Sequence, residues 1–139
     1  MTLKQFIDSI KAIALTQKNV RSAGDGDIYT YLNSNPNLQY GVVFVVQNQH
    51  QSTEETDRYS INLFYADRQV NFEGCSNLQI QSIGKEVLEN IIKIFCERYD
   101  ADVYGDIVWQ SWRERFADAL AGIYAVVTIE ITKDTICID

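Results

Sequence analysis

Five carboxylates fall in two short clusters, and these are the first places to look for chemistry. Asp25 and Asp27 flank Gly26 in the manner of an opening calcium loop. Such a loop needs further oxygen ligands at fixed offsets and a closing Glu. Here Tyr29 and Tyr31 stand where oxygen ligands belong, and no Glu closes the loop, so the segment reads as a turn and helix cap. Glu54, Glu55 and Asp57 form the second cluster, near His50, the sole histidine. A metal or acid/base site can be drawn there, but carboxylates on an exposed loop stay solvated and keep ordinary pKa values. Gly24-Asp25-Gly26-Asp27 lacks the Lys-Ser/Thr of a phosphate-cradling loop and follows no strand.

The cysteines are Cys75, Cys96 and Cys137, odd in number and without a CxxC spacing. They read as reduced thiols. Cys75, just ahead of a helix cap, invites a lowered thiol pKa from the helix dipole, but no histidine nearby in sequence completes a Cys-His pair. No catalytic, cofactor-binding or metal-binding residue is assigned, no cofactor is expected, and the chain is not expected to be an enzyme.

Aromatic residues are the more informative group. Eight tyrosines and two tryptophans are many for 139 residues, and both types favour interfaces. Trp109 and Trp112 are three apart, so on a strand they point to opposite faces and one of them leaves the core. An oligomer contact is one use for it; packing under a helix or loop is the other.

The elements that must position these residues follow from periodicity. Leu3, Phe6, Ile7, Ile10, Ile13 and Ala14 make one face of an opening helix, with Thr2 as N-cap. Residues 19–27 break the pattern, a short helical turn capped by Asp27 follows, and Asn33–Asn37 is a turn around Pro36. Tyr40–Gln47 predicts a strand covered on both faces. Arg58–Asp67 alternates, with Tyr59, Ile61, Leu63 and Tyr65 on one side. The two strands predict an antiparallel hairpin whose tip is the polar run Asn48–Asp57, longer than the usual two to five residues.

A second helix is placed at about 77–99 on the stripe Ile80, Ile83, Val87, Ile91, Ile94 and Phe95, widened by Leu88 and Ile92. Gly84 inside it points to close packing against a strand, and Glu89/Lys93 to a favourable pair. Asp106–Trp112 and Gly122–Thr132 are the closing strands, the latter with Ile123, Ala125, Val127, Ile129 and Ile131 inward. The expected fold is a single α+β domain over 1–139, a four-stranded mainly antiparallel sheet with two helices packed on one face, in the order α-β-β-α-β-β.

Composition agrees with a folded chain: 46% apolar and 22% charged residues exclude general disorder. No window approaches the ~18 apolar residues of a membrane span, and the opening residues lack the apolar run of a signal peptide, so a soluble protein of the cell interior with no membrane contact is expected. A net charge of −7 argues against generic nucleic-acid binding.

Beyond these patterns, the opening helix MTLKQFIDSIKAIALTQKNV, then GDGDIYTYLNSNPNLQYGVVFVVQNQH, TDRYSINLFYADR and LQIQSIGKEVLENIIKIFCERYD carry a resemblance along nearly all of the chain, and ERFADALAGIYAVVTIEI is its most telling part. The sequence resembles the phage tail-terminator and head–tail joining (neck ring) proteins, as in Bacteroidales (crAss-like) phages and prophages. The resemblance implies a virion structural protein, assembled in the host bacterial cytoplasm, that oligomerises into a six- or twelve-fold homo-oligomeric ring. Its partners would be tail-tube and head or portal-side connector proteins. DNA would pass through the lumen without specific binding, and an acidic wall suits that passage.

Contacts in a ring are heterologous. On this reading the interface draws on the hairpin tip, with His50, Glu54 and Glu55, and on the segment carrying Trp109, Trp112, Arg113 and Arg115. The alternatives are another phage tail or connector (tube-like) subunit, or a non-catalytic bacterial binding module.

Overall fold

The computed structural model describes residues 1–27, 30–31, 41–68, 77–115 and 119–133, without the side chains of 77, 112–115, 119 and 120. The element order is α1 (Leu3–Ala14), β1 (Ser22–Asp25), β2 (Val42–Ser52), β3 (Thr56–Arg68), α2 (Asn77–Tyr99), β4 (Asp102–Val103), β5 (Val108–Arg115) and β6 (Ala119–Thr132). The class is α+β, as expected. The sheet is mainly antiparallel, as expected, but among the described residues it has six strands rather than four, ordered β1-β2-β3-β6-β4, with β5 also paired to β6 and with β1 running parallel to β2.

Helix α1 begins as its sequence predicts. The Thr2 hydroxyl accepts from the Gln5 amide at 3.1 Å, and the Gln5 side chain accepts from the Thr2 amide at 2.8 Å, closing a capping box. Its stripe buries Phe6, Ile10, Ile13 and Ala14. Helix α2 buries Ile80, Val87, Leu88, Ile91, Ile92 and Phe95. Both helices share one core with Val43 and Val45 of β2, with Tyr59, Ile61, Leu63 and Tyr65 of β3, and with Ile123, Val127 and Ile129 of β6. Direct pairing of Val43 with Tyr65 and of Tyr65 with Ile123 puts these residues on one sheet face, so both helices lie on that face.

Gly84 is where α2 meets the sheet. A Cβ there would lie 2.7 Å from the Tyr65 ring and 2.9 Å from Ile123, so the absent side chain permits the close approach that the sequence suggested. The expected Glu89–Lys93 pair is replaced by Lys85–Glu89 at 3.3 Å.

Strand β1 lies inside the stretch 19–27 that the sequence predicts as a break. Ser22-Ala23-Gly24-Asp25 has little intrinsic strand preference, and pairing with β2 supplies what propensity does not. The turn after it agrees with expectation in its described part: Tyr31 donates its amide to the Asp27 carbonyl at 3.0 Å. The Asn33–Asn37 turn, Cys75 and the cap ahead of α2 lie outside the described residues.

The long polar tip is also corrected. Strands β2 and β3 pair out to Ser52 and Asp57, leaving Thr53, Glu54 and Glu55 as the turn. The ladder carries one bulge between Gln47 and Gln49. A one-residue slip exchanges the faces of every later side chain. His50, not Gln49, therefore lies opposite Tyr59 on the helix-bearing face.

Strands β4 and β5 run in the same direction along the outer side of β6, at Glu130–Ile129 and Val126–Ala119. Residues 104–107 between them stand opposite only Val127 and Thr128, so this edge carries two residues in excess, with Gly105 at φ 77°. The edge is thus one interrupted strand, longer than the expected 106–112.

Candidate functional site

The far half of the β2–β3 hairpin gathers the polar groups that sequence reasoning singled out. Asp57 is its hub. The Ser52 hydroxyl donates to Asp57 Oδ1 at 2.6 Å, and His50 Nε2 lies 3.2 Å from the same oxygen. The His50 ring stacks on Tyr59 with centroids 4.4 Å apart. Partial desolvation raises the Asp57 carboxyl, but hydrogen bonds from Ser52 and His50, with the charge of Lys133, outweigh it and hold the group below the ordinary carboxylate value.

Serine, histidine and aspartate meet here, which the sequence spacing did not reveal because the turn that unites them was read as open loop. Their connectivity is not that of a nucleophile relay. Ser52 donates directly to Asp57, and both oxygens approach the same ring nitrogen, at 3.4 Å and 3.2 Å. A relay needs the carboxylate on the opposite nitrogen, where it orients the ring to take the hydroxyl proton. This cluster fastens a hairpin.

The turn is fastened as well. The Thr53 and Thr56 hydroxyls lie 2.9 Å apart, and the Thr53 amide donates to the Thr56 carbonyl at 2.8 Å. Lys133 Nζ donates to the Thr53 carbonyl at 2.6 Å, and its amide to the Glu55 carbonyl at 2.7 Å. The Glu54 and Glu55 side chains are exposed. On the opposite sheet face, Asn48 donates to Asn62, Ser60 meets Thr128 at 2.6 Å, and Arg58 Nε donates to Glu130 at 2.7 Å. The Arg58 guanidinium also covers the Tyr104 ring at 3.8 Å.

The other nominated residues lie elsewhere. Trp109 is half-buried on the helix-bearing face, opposite Ala125 in the ladder, with Lys85 Nζ 5.2 Å from its ring centroid. It packs beneath α2. Trp112, Arg113 and Arg115 pair in the ladder with Gly122, Ala121 and Ala119. Those rungs are at the opposite end of β6 from Thr132, which pairs with Thr56 beside the hairpin turn. His50, Glu54 and Glu55 are therefore gathered at one end of the sheet, and Trp112, Arg113 and Arg115 at the other.

Sequence reasoning missed an open cleft of about 400 Å³ between α2 and β4, walled by Ile92, Cys96, Ala101, Val103 and Ile107. Burial pushes the Cys96 thiol up, and the nearby Asp102 adds to this. Among the described residues no three His, Cys, Asp or Glu side chains are grouped as a metal ion would require, and no helix is long and apolar enough to cross a membrane. No protein-family model matches the chain, and no curated protein matches it in sequence.

Proposed function

We propose that this chain is a non-catalytic assembly subunit of a virion, a tail-terminator or neck-ring protein that meets copies of itself and a tail-tube or connector partner. The observation that carries this reading is the fastened hairpin. Its outer part, from His50 to Thr56, is polar, yet the backbone ladder, the Asp57 hub, the paired threonines and Lys133 hold it in one conformation. Ordering exposed residues ahead of contact lowers the entropy lost on association. That property suits a surface that must be repeated identically around an assembly. The sequence resemblance supports the same reading, and the acidic net charge of −7 suits a lumen that passes DNA.

A second reading, a non-catalytic binding module, is favoured by the apolar cleft beside β4. Native mass spectrometry over a concentration series, with and without a tail-tube protein, separates the two. Closed rings or stoichiometric capping of tubes is the result expected for the assembly subunit. A monomer under both conditions overturns that reading.

A further inference from the structure

The cleft between α2 and β4 has an apolar wall with one thiol, Cys96, half-buried within it. Its rim carries both signs, Glu89 and Asp102 against Lys93, so charge does not choose what fills it. Reach and apolar content do. At the end of β6, Thr132 pairs with Thr56, and the Lys133 amide donates to the Glu55 carbonyl at 2.7 Å, which carries the same ladder one step further. Residues 134–139, Asp-Thr-Ile-Cys-Ile-Asp, follow and lie outside the described residues. Their apolar members are consecutive: Ile136, Cys137 and Ile138.

We propose that the cleft between α2 and β4 receives residues 136–138 of its own chain. The distance allows it. Lys133 stands three residues beyond Glu130, which pairs with Asp102 of β4. At about 3.4 Å per residue that is ~10 Å along β6, and the step across to β4 adds ~5 Å. Cys96 lies beside that point, because its carbonyl accepts from the Ala101 amide at 3.0 Å. An extended chain of five residues beyond Lys133 spans about 17 Å, so the apolar run comes within range of the cleft wall. A tethered segment needs little affinity of its own, since a short link holds it at an effective concentration in the millimolar range. The inference stands apart from the assembly reading, because a chain that forms no ring would still close its own cleft. It bears on the binding-module reading, because any ligand of the cleft must then displace this segment.

Cys96 reports on the contact in the full chain. With Cys75→Ser and Cys137→Ser it is the sole thiol, and its modification by N-ethylmaleimide is followed by intact mass. Ile136→Asp with Ile138→Asp should speed that modification about tenfold, the effect of opening a mostly closed segment. Ile136→Val with Ile138→Val should keep the slow rate, and an unchanged thermal melt shows that the Asp variant is folded. A second measurement does not depend on that variant. In Cys75→Ser, with Cys96 and Cys137 kept, diamide at low protein concentration should give a monomer carrying a Cys96–Cys137 disulfide, read as a linked peptide after digestion. Equal modification rates with and without the aspartates, or no such link, overturn the proposal. A link found only in dimers, or protection of Cys96 that is lost on dilution, also overturns it and assigns the cleft to the same segment of a second copy.

Discussion

The His50 ring lies flat against Tyr59, 4.4 Å between centroids, because a single extra residue at Asn48 turns His50 toward the helices. Tyr59 in turn stacks on Phe6 at 4.5 Å, and Phe6 meets Phe95 edge-on at 5.2 Å. The hairpin is thereby joined to α1 and α2 through ring contacts. His50→Ala should cost about 0.5–1.5 kcal/mol, the usual worth of such a contact. His50→Phe should recover most of it. Urea denaturation of the two variants checks this, and equal losses would show that the Asp57 hydrogen bond, not the stack, is what matters.

Acid should loosen the same hairpin. Asp57 in the folded chain holds its proton less readily than in the unfolded chain. The stability this supplies is present above the unfolded carboxylate pKa of about 4 and is lost as pH falls through the lower folded value. Thermal melts from pH 7 down to pH 2 should show Asp57→Asn less stable than wild type at neutral pH, with the gap narrowing below about pH 4. A gap that stays constant across that range would remove Asp57 from the acid transition.

Lys133 should act locally. Its ammonium and amide hold the turn at Thr53 and Glu55, away from the core. Lys133→Ala should speed amide exchange at residues 53–56 while global stability changes by less than about 1 kcal/mol, since such turns open independently of the core. Protection unchanged at the turn would show that the threonine pair suffices.

At Gly84 two effects oppose each other. Alanine would gain about 1 kcal/mol in helix propensity, but its methyl would meet Tyr65 and Ile123 under 3.0 Å. Overpacking of this kind costs about 1–3 kcal/mol. Gly84→Ala should therefore be neutral to destabilising and Gly84→Val clearly worse, read as a falling urea midpoint at constant slope. A stabilised Gly84→Ala would mean that α2 shifts on the sheet at little cost.

Much of this fold was legible because long amphipathic patterns carry their own periodicity. Residues 77–99 form α2 as their periodicity predicts, Thr2 caps α1, and the inward residues of β6 are buried. What escaped was decided by partners distant in sequence. Ser22–Asp25 is a strand only because β2 lies beside it. Asn48–Ser52 looks like loop by composition and is paired by the ladder. The meeting of Ser52, His50 and Asp57 depends on a bulge and a tight turn, neither of which polar residues announce by spacing. Trp109 and Trp112 are neighbours in sequence spacing alone, and the ladder gives Trp109 a place under α2.

The two surplus residues between Val103 and Val108 have a further effect. A straight, fully extended outer strand along β6 would be a template onto which any stray extended peptide could zip, including the same strand of an unfolding neighbour. The break at Tyr104–Ile107, with Gly105 turned to positive φ, interrupts that template between a two-residue and an eight-residue length and bends the edge between them. Removing Gly105 and Asp106 together would splice them into one continuous edge, and the spliced chain should precipitate on warming where the natural one refolds. The edge beside β6 would thus carry, in its own backbone, a safeguard against uncontrolled strand addition.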